Sequence, residues 1–241
     1  MFEKRLVSFY KGAIQKKEDY LKQFDTSIVN YYKNLEYRLN IFRLSKSNTD
    51  QYIASDFNFF DFINPNENML SDIFSELLEV NGKHGQGSLF LSLFLNITGL
   101  SSSFKISEFK SIFREDPTCY INNMSRRIDI TLDFGNTGIG IENKPWATDQ
   151  IDQLEDYKNH LKKKYRSNFI LFYLSGDGHK PSSIREHTSN IKIISYNGHI
   201  KKWLNECYKE SKADKIRWFL HDFISYIEQT FPSFTDEVIY D

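Results

Sequence analysis

The sequence predicts an α/β fold: a central mixed β-sheet flanked by helices, with a helical arm before it and further helices after it. Two observations carry this reading. Apolar residues recur at helical intervals at both ends of the 241-residue chain, and the period changes to two only in its middle, from Arg127 onward. The resulting order (helix, helix, hairpin, helix, strand, strand, helices) suits a sheet covered by helices.

The elements follow in order. Residues 1 to about 45 mix aromatics with Lys and Glu at helical spacing, and the polar stretch Ser45-Lys46-Ser47-Asn48-Thr49-Asp50 is expected to end this arm. Asn64-Pro65 reads as an N-cap with proline at the first helical position, followed by Leu70, Ile73, Phe74, Leu77 and Leu78 on one face. The glycine-punctuated segment Asn81 to Gly87 is a loop, and Leu89, Phe90, Leu93, Phe94 and Ile97 mark the next amphipathic helix. Ile128, Ile130 and Leu132 then alternate with Asp129, Thr131 and Asp133, while Ile139 and Ile141 alternate with Gly140, Glu142 and Lys144, the pattern of half-buried strands. Helix spacing returns from about Thr148 to Tyr165, strands are expected at 169–174 and 191–195, and helices over most of 200–231.

Composition narrows the classes. Hydrophobic residues make up 40% and aromatics 16%, with 21 Phe and 14 Tyr, which is incompatible with a disordered chain. Thirty-one Lys and Arg against 32 Asp and Glu leave a net charge of -1, so any nucleic-acid surface must be local. Cys119 and Cys207 offer neither a disulfide framework nor a thiolate zinc site, and fit a reducing cytoplasm. The N-terminus lacks a secretory h-region, and the most apolar stretch, 88–100, is about half the length a bilayer needs, so a cytoplasmic protein without a membrane span is expected.

The hairpin poses a charge problem. A two-residue Gly135-Asn136 turn of type II′ sets Ile130 opposite Ile141, Thr131 opposite Gly140, and Asp129 opposite Glu142. Carboxylates about 5 Å apart repel by roughly 3 kcal/mol at an effective dielectric near 20. Lys144 shares their face, yet one ammonium cannot satisfy two acids. Mg²⁺ can, being typically held by one or two carboxylates with further oxygens, here including the Asn143 backbone carbonyl. Such a centre suits phosphodiester hydrolysis, with Lys144 orienting or activating the attacking water. The competing reading is a solvated strand face that uses its charges only for solubility.

Arg127-Ile128-Asp129 followed by Ile141-Glu142-Asn143-Lys144 resembles the motif of the PD-(D/E)XK nuclease superfamily, with Asp129, Glu142 and Lys144 as its D, (D/E) and K. Ile128 stands where the eponymous proline would be. The stretch from about Asn66 to Ser183 is similar to a bacterial branch of that superfamily through Glu67, the loop His84-Gly85-Gln86-Gly87, and Glu142-Asn143-Lys144-Pro145-Trp146. Gln153 and Tyr157 resemble the Q-x-x-x-Y element of RecB-like nucleases. The resemblance implies a restriction-endonuclease-like core of helix, three strands, helix and a further strand; with the C-terminal helices it is expected to make one domain over 61–241, preceded by a helical arm at 1–60, the arm and the helices after 200 lying outside the resemblance. It also implies metal-dependent cleavage of DNA, less often RNA.

On that resemblance Glu67 is a helix-borne acid near the metal; by position it is equally a first-turn glutamate that offsets the helix dipole. Gln153 and Tyr157, four residues apart, share a helix face with Gln150 close to the same line, and can point over the site or edge the core beside Ile151, Leu154, Leu161 and Tyr165. His84 is a candidate phosphate contact or a turn histidine. Trp146 can stack on a base or pack. Arg126, Arg127 and the run Lys162-Lys163-Lys164 with Arg166 are basic groups near the motif, for phosphate or for solvation and the helix dipole. Ser175-Gly176-Asp177-Gly178 lacks the Gly-Lys-Ser/Thr ending of a phosphate loop and reads as a turn.

The expectation is therefore a Mg²⁺-dependent deoxyribonuclease, with Mn²⁺ able to substitute, acting on DNA in defence, restriction or repair. Asp129, Glu142, Lys144, Glu67, Gln153 and Tyr157 form its catalytic set, and the terminal helices are available for a homodimer or a protein partner. The alternatives are a silent nuclease-fold module that binds nucleic acid or protein, and a phosphoesterase with a small substrate in a closed pocket.

Overall fold

A computed structural model describes residues 2–118, 126–146, 153–181 and 190–231. The chain forms two compact units, residues 1–57 and 58–241. The first is one helix, α1 (Phe2–Ile53). The polar stretch at 45–50 does not end it. It contains neither Gly nor Pro, Thr49 Oγ1 donates back to the Ser45 and Lys46 carbonyls at 3.2 and 3.0 Å, and Lys46 pairs with Asp50 at 3.8 Å, so these side chains are compatible with a continuing helix.

The second unit holds a five-stranded mixed sheet in the order β1-β2-β3-β4-β5, from β1 (Ser111–Pro117), β2 (Arg127–Asp133), β3 (Gly138–Lys144), β4 (Phe169–Ser175) and β5 (Ile191–Ser195). The first three strands are antiparallel, and β3, β4 and β5 run parallel. The parallel pair β3–β4 needs a crossover, which α5 (Gln153–Tyr165) supplies. One sheet face packs on α3 (Glu67–Leu78), α4 (Leu89–Ile97), α6 (Lys201–Glu210) and α7 (Asp214–Thr230); the other packs on α5. Short α2 (Phe60–Ile63) lies against α7, with the Phe60 ring stacked on Phe223 at 4.8 Å.

Three local readings are corrected. Asn64 caps the end of α2 in the left-handed region, at φ 40°, instead of starting α3; the N-cap is Asn66, whose side chain accepts from the Met69 N–H at 2.9 Å. β1 escapes period-two reading because Arg114, Glu115 and Asp116 interrupt its apolar side chains and Phe113 is exposed, as an edge strand allows. Ile128 does not share a face with Ile130 and Leu132. It joins the α5-side cluster, whereas they join the other, so β2 changes faces at Asp129. The start of the helix expected at Thr148 lies outside the described residues, as does Cys119.

Two of the three expected hairpin pairs form, Ile130 with Ile141 and Thr131 with Gly140, whereas Asp129 does not pair with Glu142 because the ladder stops at Ile130. Gly135 lies at the tip with φ +80°, and the Asn136 N–H donates to the Phe134 carbonyl at 3.1 Å, so the chain reverses through a tight three-residue turn about Gly135 in place of the expected type II′ turn. On β3, a Cβ on Gly138 would come within 2.1 Å of the Tyr165 ring, so the Gly-Ile-Gly-Ile pattern of the strand lets α5 lie close against the sheet.

Candidate active site

The site forms where the regular ladder ends. The β2–β3 pairing runs to Ile130–Ile141, and beyond it the Asp129 side chain takes over: its Oδ2 accepts the Asn143 N–H at 2.7 Å. On the other side of β2, Glu115 of β1 has φ 48°, and the Arg114 guanidinium donates to the Asp129 carbonyl. Asp129 is thus held at the point where β2 switches faces.

β3 sends alternate side chains to opposite layers. Glu142 points towards α5 and is 1% exposed. Its Oε1 accepts from Gln153 Nε2 at 2.7 Å and from Lys144 Nζ at 2.9 Å. Its Oε2 is buried with no hydrogen-bond partner among the described residues. Burial, and then the Asp129 carboxylate, push Glu142 up to about 8. Burial also raises Asp129, against the Asn143 N–H and the Lys144 charge.

Lys144 reaches from the strand end to the first residue of α3, where Glu67 Oε1 accepts its Nζ hydrogen bond at 2.6 Å. Burial works against the ammonium, but the Glu142 charge and the bonds to Glu67 and Glu142 outweigh it and hold Lys144 above the ordinary lysine range. With two carboxylate partners, Lys144 keeps its charge while either one is ionised. In this state it donates hydrogen bonds to Glu67 and Glu142.

Asn143, between them, points the other way and is also 1% exposed. Its Nδ2 donates to Ser71 Oγ at 2.9 Å and to the Glu67 carbonyl at 3.2 Å, and its Oδ1 accepts from the Tyr196 hydroxyl at 2.9 Å. Ser71 and Tyr196 were not among the expected residues. The readable signal for Ser71 was a small hydroxyl four residues after Glu67, on the face that buries Leu70 and Phe74.

Gln153 and Tyr157 share a face of α5, as their spacing requires. Gln153 Nε2 also donates to Tyr157 Oη at 2.9 Å, and that hydroxyl donates to the Arg127 carbonyl at 2.6 Å. Burial, followed by the Glu142 charge, raises Tyr157 above the usual phenol range, so it stays protonated and ties α5 to β2. Asp129, Glu142, Lys144, Glu67, Gln153, Tyr157 and Asn143 therefore form one connected network; Gln150 and Ile151 lie outside the described residues.

The remaining candidates stand apart from this network. His84 is 5% exposed, and both its ring nitrogens face backbone: Nδ1 accepts the Gln86 N–H at 3.0 Å, and Nε2 donates to the Glu79 carbonyl at 2.9 Å. Its ring lies against Phe90, and Gln86 accepts from Ser211, so this loop is pinned to the scaffold and His84 has no nitrogen left for a phosphate. Arg126 pairs with Asp156 at 2.9 Å, Arg127 with Glu115 at 2.6 Å and Lys164 with Asp133 at 3.5 Å. Trp146 is half exposed, 5.6 Å from the Phe231 ring. Ser175 to Gly178 is a turn, closed by the Gly178 N–H donating to Ser175 Oγ at 3.0 Å.

Among the described residues, no three His, Cys, Asp or Glu side chains group closely enough to hold a metal by themselves. The donor set fits a hard cation in another way. Glu142 Oε2 is an orphaned buried oxygen, its neighbour Asp129 is a second carboxylate, and a backbone carbonyl with water and phosphate oxygens suits the rest of a magnesium shell.

No curated protein sequence matches the chain. A sequence model of the PD-(D/E)XK nuclease superfamily matches residues 57–225, which include every residue of the network and more than half of the chain. With that match and the helix-flanked mixed sheet that carries Asp129, Glu142 and Lys144, the chain belongs to the PD-(D/E)XK nuclease superfamily.

Proposed function

We propose that the protein is a Mg²⁺-dependent deoxyribonuclease that hydrolyses phosphodiester bonds, with Mn²⁺ as a substitute. The observation that carries this reading is Glu142: a carboxylate 1% exposed, with one oxygen unpartnered among the described residues and a second carboxylate beside it. Structural proteins rarely keep such a group, because an unpaired buried acid is costly. A site that binds a cation for chemistry has reason to.

Asp129, Glu142 and the Asn143 carbonyl would hold the ion, which supplies Lewis-acid stabilisation of charge on a phosphate oxygen. The chain's own groups do the rest. Lys144, kept as an ammonium, donates to the attacking water and to developing negative charge. Glu67 limits the freedom of Lys144 through their 2.6 Å bond. Gln153 fixes the rotamer of Glu142 and Tyr157 fixes Gln153.

The test is cleavage of circular and linear DNA, single- and double-stranded, with Mg²⁺ or Mn²⁺, by the wild type, Glu142→Ala and Lys144→Ala. Metal-dependent cutting lost in both folded variants is the expected result. Absence of both cutting and metal binding in the wild type would replace this reading with that of a silent module.

A further inference from the structure

The first unit is a 52-residue helix, about 78 Å long at the usual rise, and its large apolar side chains are exposed. Helices this long and solvated are normally partnered. Val7, Ile14, Leu21, Ile28, Leu35 and Phe42 recur every seven residues along α1, with Tyr10, Phe24 and Tyr31 three positions after members of that series. This is the a/d spacing of a coiled-coil seam, maintained over six repeats. All nine residues are between 38% and 66% exposed. No Gly or Pro falls between Gly12 and Ile53 to break the seam.

We infer that α1 pairs with α1 of a second copy of this chain as an antiparallel two-stranded coiled coil. The d series sets the orientation. Its remaining members within the seam include Lys17 and Arg38. In a parallel pair each would face its own copy across the seam, setting ammonium against ammonium and guanidinium against guanidinium. Reversing one helix places Lys17 beside Leu35 and Arg38 beside Ile14 of the second copy, where the aliphatic stems lie on apolar surface and the charged heads reach water. In the same register Phe24 meets Ile28, Leu21 meets Tyr31, and Tyr10 meets Phe42 of the second copy, so each aromatic of the series sits against an apolar residue.

The area is adequate. At roughly 150–250 Å² per large side chain, nine half-exposed residues offer on the order of 1,000 Å² per copy, which places the pair in the range of stable interfaces. Tyr32 and Leu39 on one flank, and Leu6, Tyr20 and Ile41 on the other, are exposed as well and widen the contact.

Light scattering coupled to size exclusion tests this on the full chain. The wild type at 20 µM is expected at twice the 28.5 kDa of one chain, and Leu21→Glu/Ile28→Glu at the single mass with an unchanged thermal transition of the second unit. Orientation is read from oxidative cross-linking: a mixture of Val7→Cys and Ser45→Cys proteins links the two variants, while neither variant links to itself. A monomeric wild type overturns the inference, including one whose helix is covered by its own second unit or is captured by anionic lipid vesicles. A dimer that survives the double substitution, a four-chain species, or self-linking of Ser45→Cys also overturns it.

Discussion

The sharpest consequence of the site concerns the metal-free protein and pH. Glu142 is pushed up to about 8, from an ordinary glutamate value of 4.5, by burial and by Asp129. A carboxyl whose folded value lies above its unfolded value stabilises the fold while protonated, so its contribution is complete below pH 4.5 and is lost as pH rises through 8. Between pH 5 and 8 the loss is on the order of 3 kcal/mol, or about 6–12 °C in melting temperature for a chain of this size. Glu142→Gln keeps the acceptor for Gln153 and Lys144 and removes the titration. The assay is thermal unfolding in EDTA at half-unit steps from pH 5 to 8, read as the difference between wild type and Glu142→Gln. The difference should widen with pH in favour of the variant, and Mg²⁺ at pH 8 should restore the wild type only. Parallel curves, or Mg²⁺ stabilising both proteins equally, would refute the account of Glu142 as an uncompensated buried acid.

Other outcomes follow from the same geometry. Lys144→Arg should keep the charge and the Glu67 pairing yet lower the cleavage rate by about 10²-fold or more, because a planar guanidinium cannot donate from the same point; single-turnover cleavage measures this. Tyr157→Phe removes the bonds to the Arg127 carbonyl and from Gln153 and should cost about 1–2 kcal/mol, read from urea unfolding. Gly138→Ala forces a methyl into the Tyr165 ring and should destabilise by about 3 kcal/mol or more, with Tyr165→Ala in the same chain recovering part of the loss. Asn143→Ala strips three buried partners and should cost about 2–4 kcal/mol, seen as a lower denaturation midpoint together with weaker metal binding.

How much of this was legible in the sequence depends on how local the determining physics is. The β2–β3 register could be read because one turn and one alternating pattern fix it, and the face shared by Gln153 and Tyr157 because helical spacing is invariant. β1 could not be read, since an edge strand needs no apolar alternation. The face change at Asp129 was hidden for a different reason: it arises from Glu115 and Arg114 on a neighbouring strand, which no pattern within β2 encodes. His84 looked like a reactive loop residue because glycines surround it, and only the fold reveals the backbone groups that occupy its nitrogens. Ser71 and Tyr196 are far from Asn143 in sequence and were invisible as its partners.

Asn143 occupies the position a motif search treats as a wildcard. Glu142 before it faces the α5 layer, whereas Asn143 is bolted through the sheet to α3 and to Tyr196 in the opposite layer. Divergence of the sequence is thereby coupled: the motif can drift at this letter only if Ser71 and Tyr196 drift with it. Among relatives that retain this architecture, these three positions should change as a set, and a chain that carries another residue at the wildcard should carry a matching change on α3 or after β5.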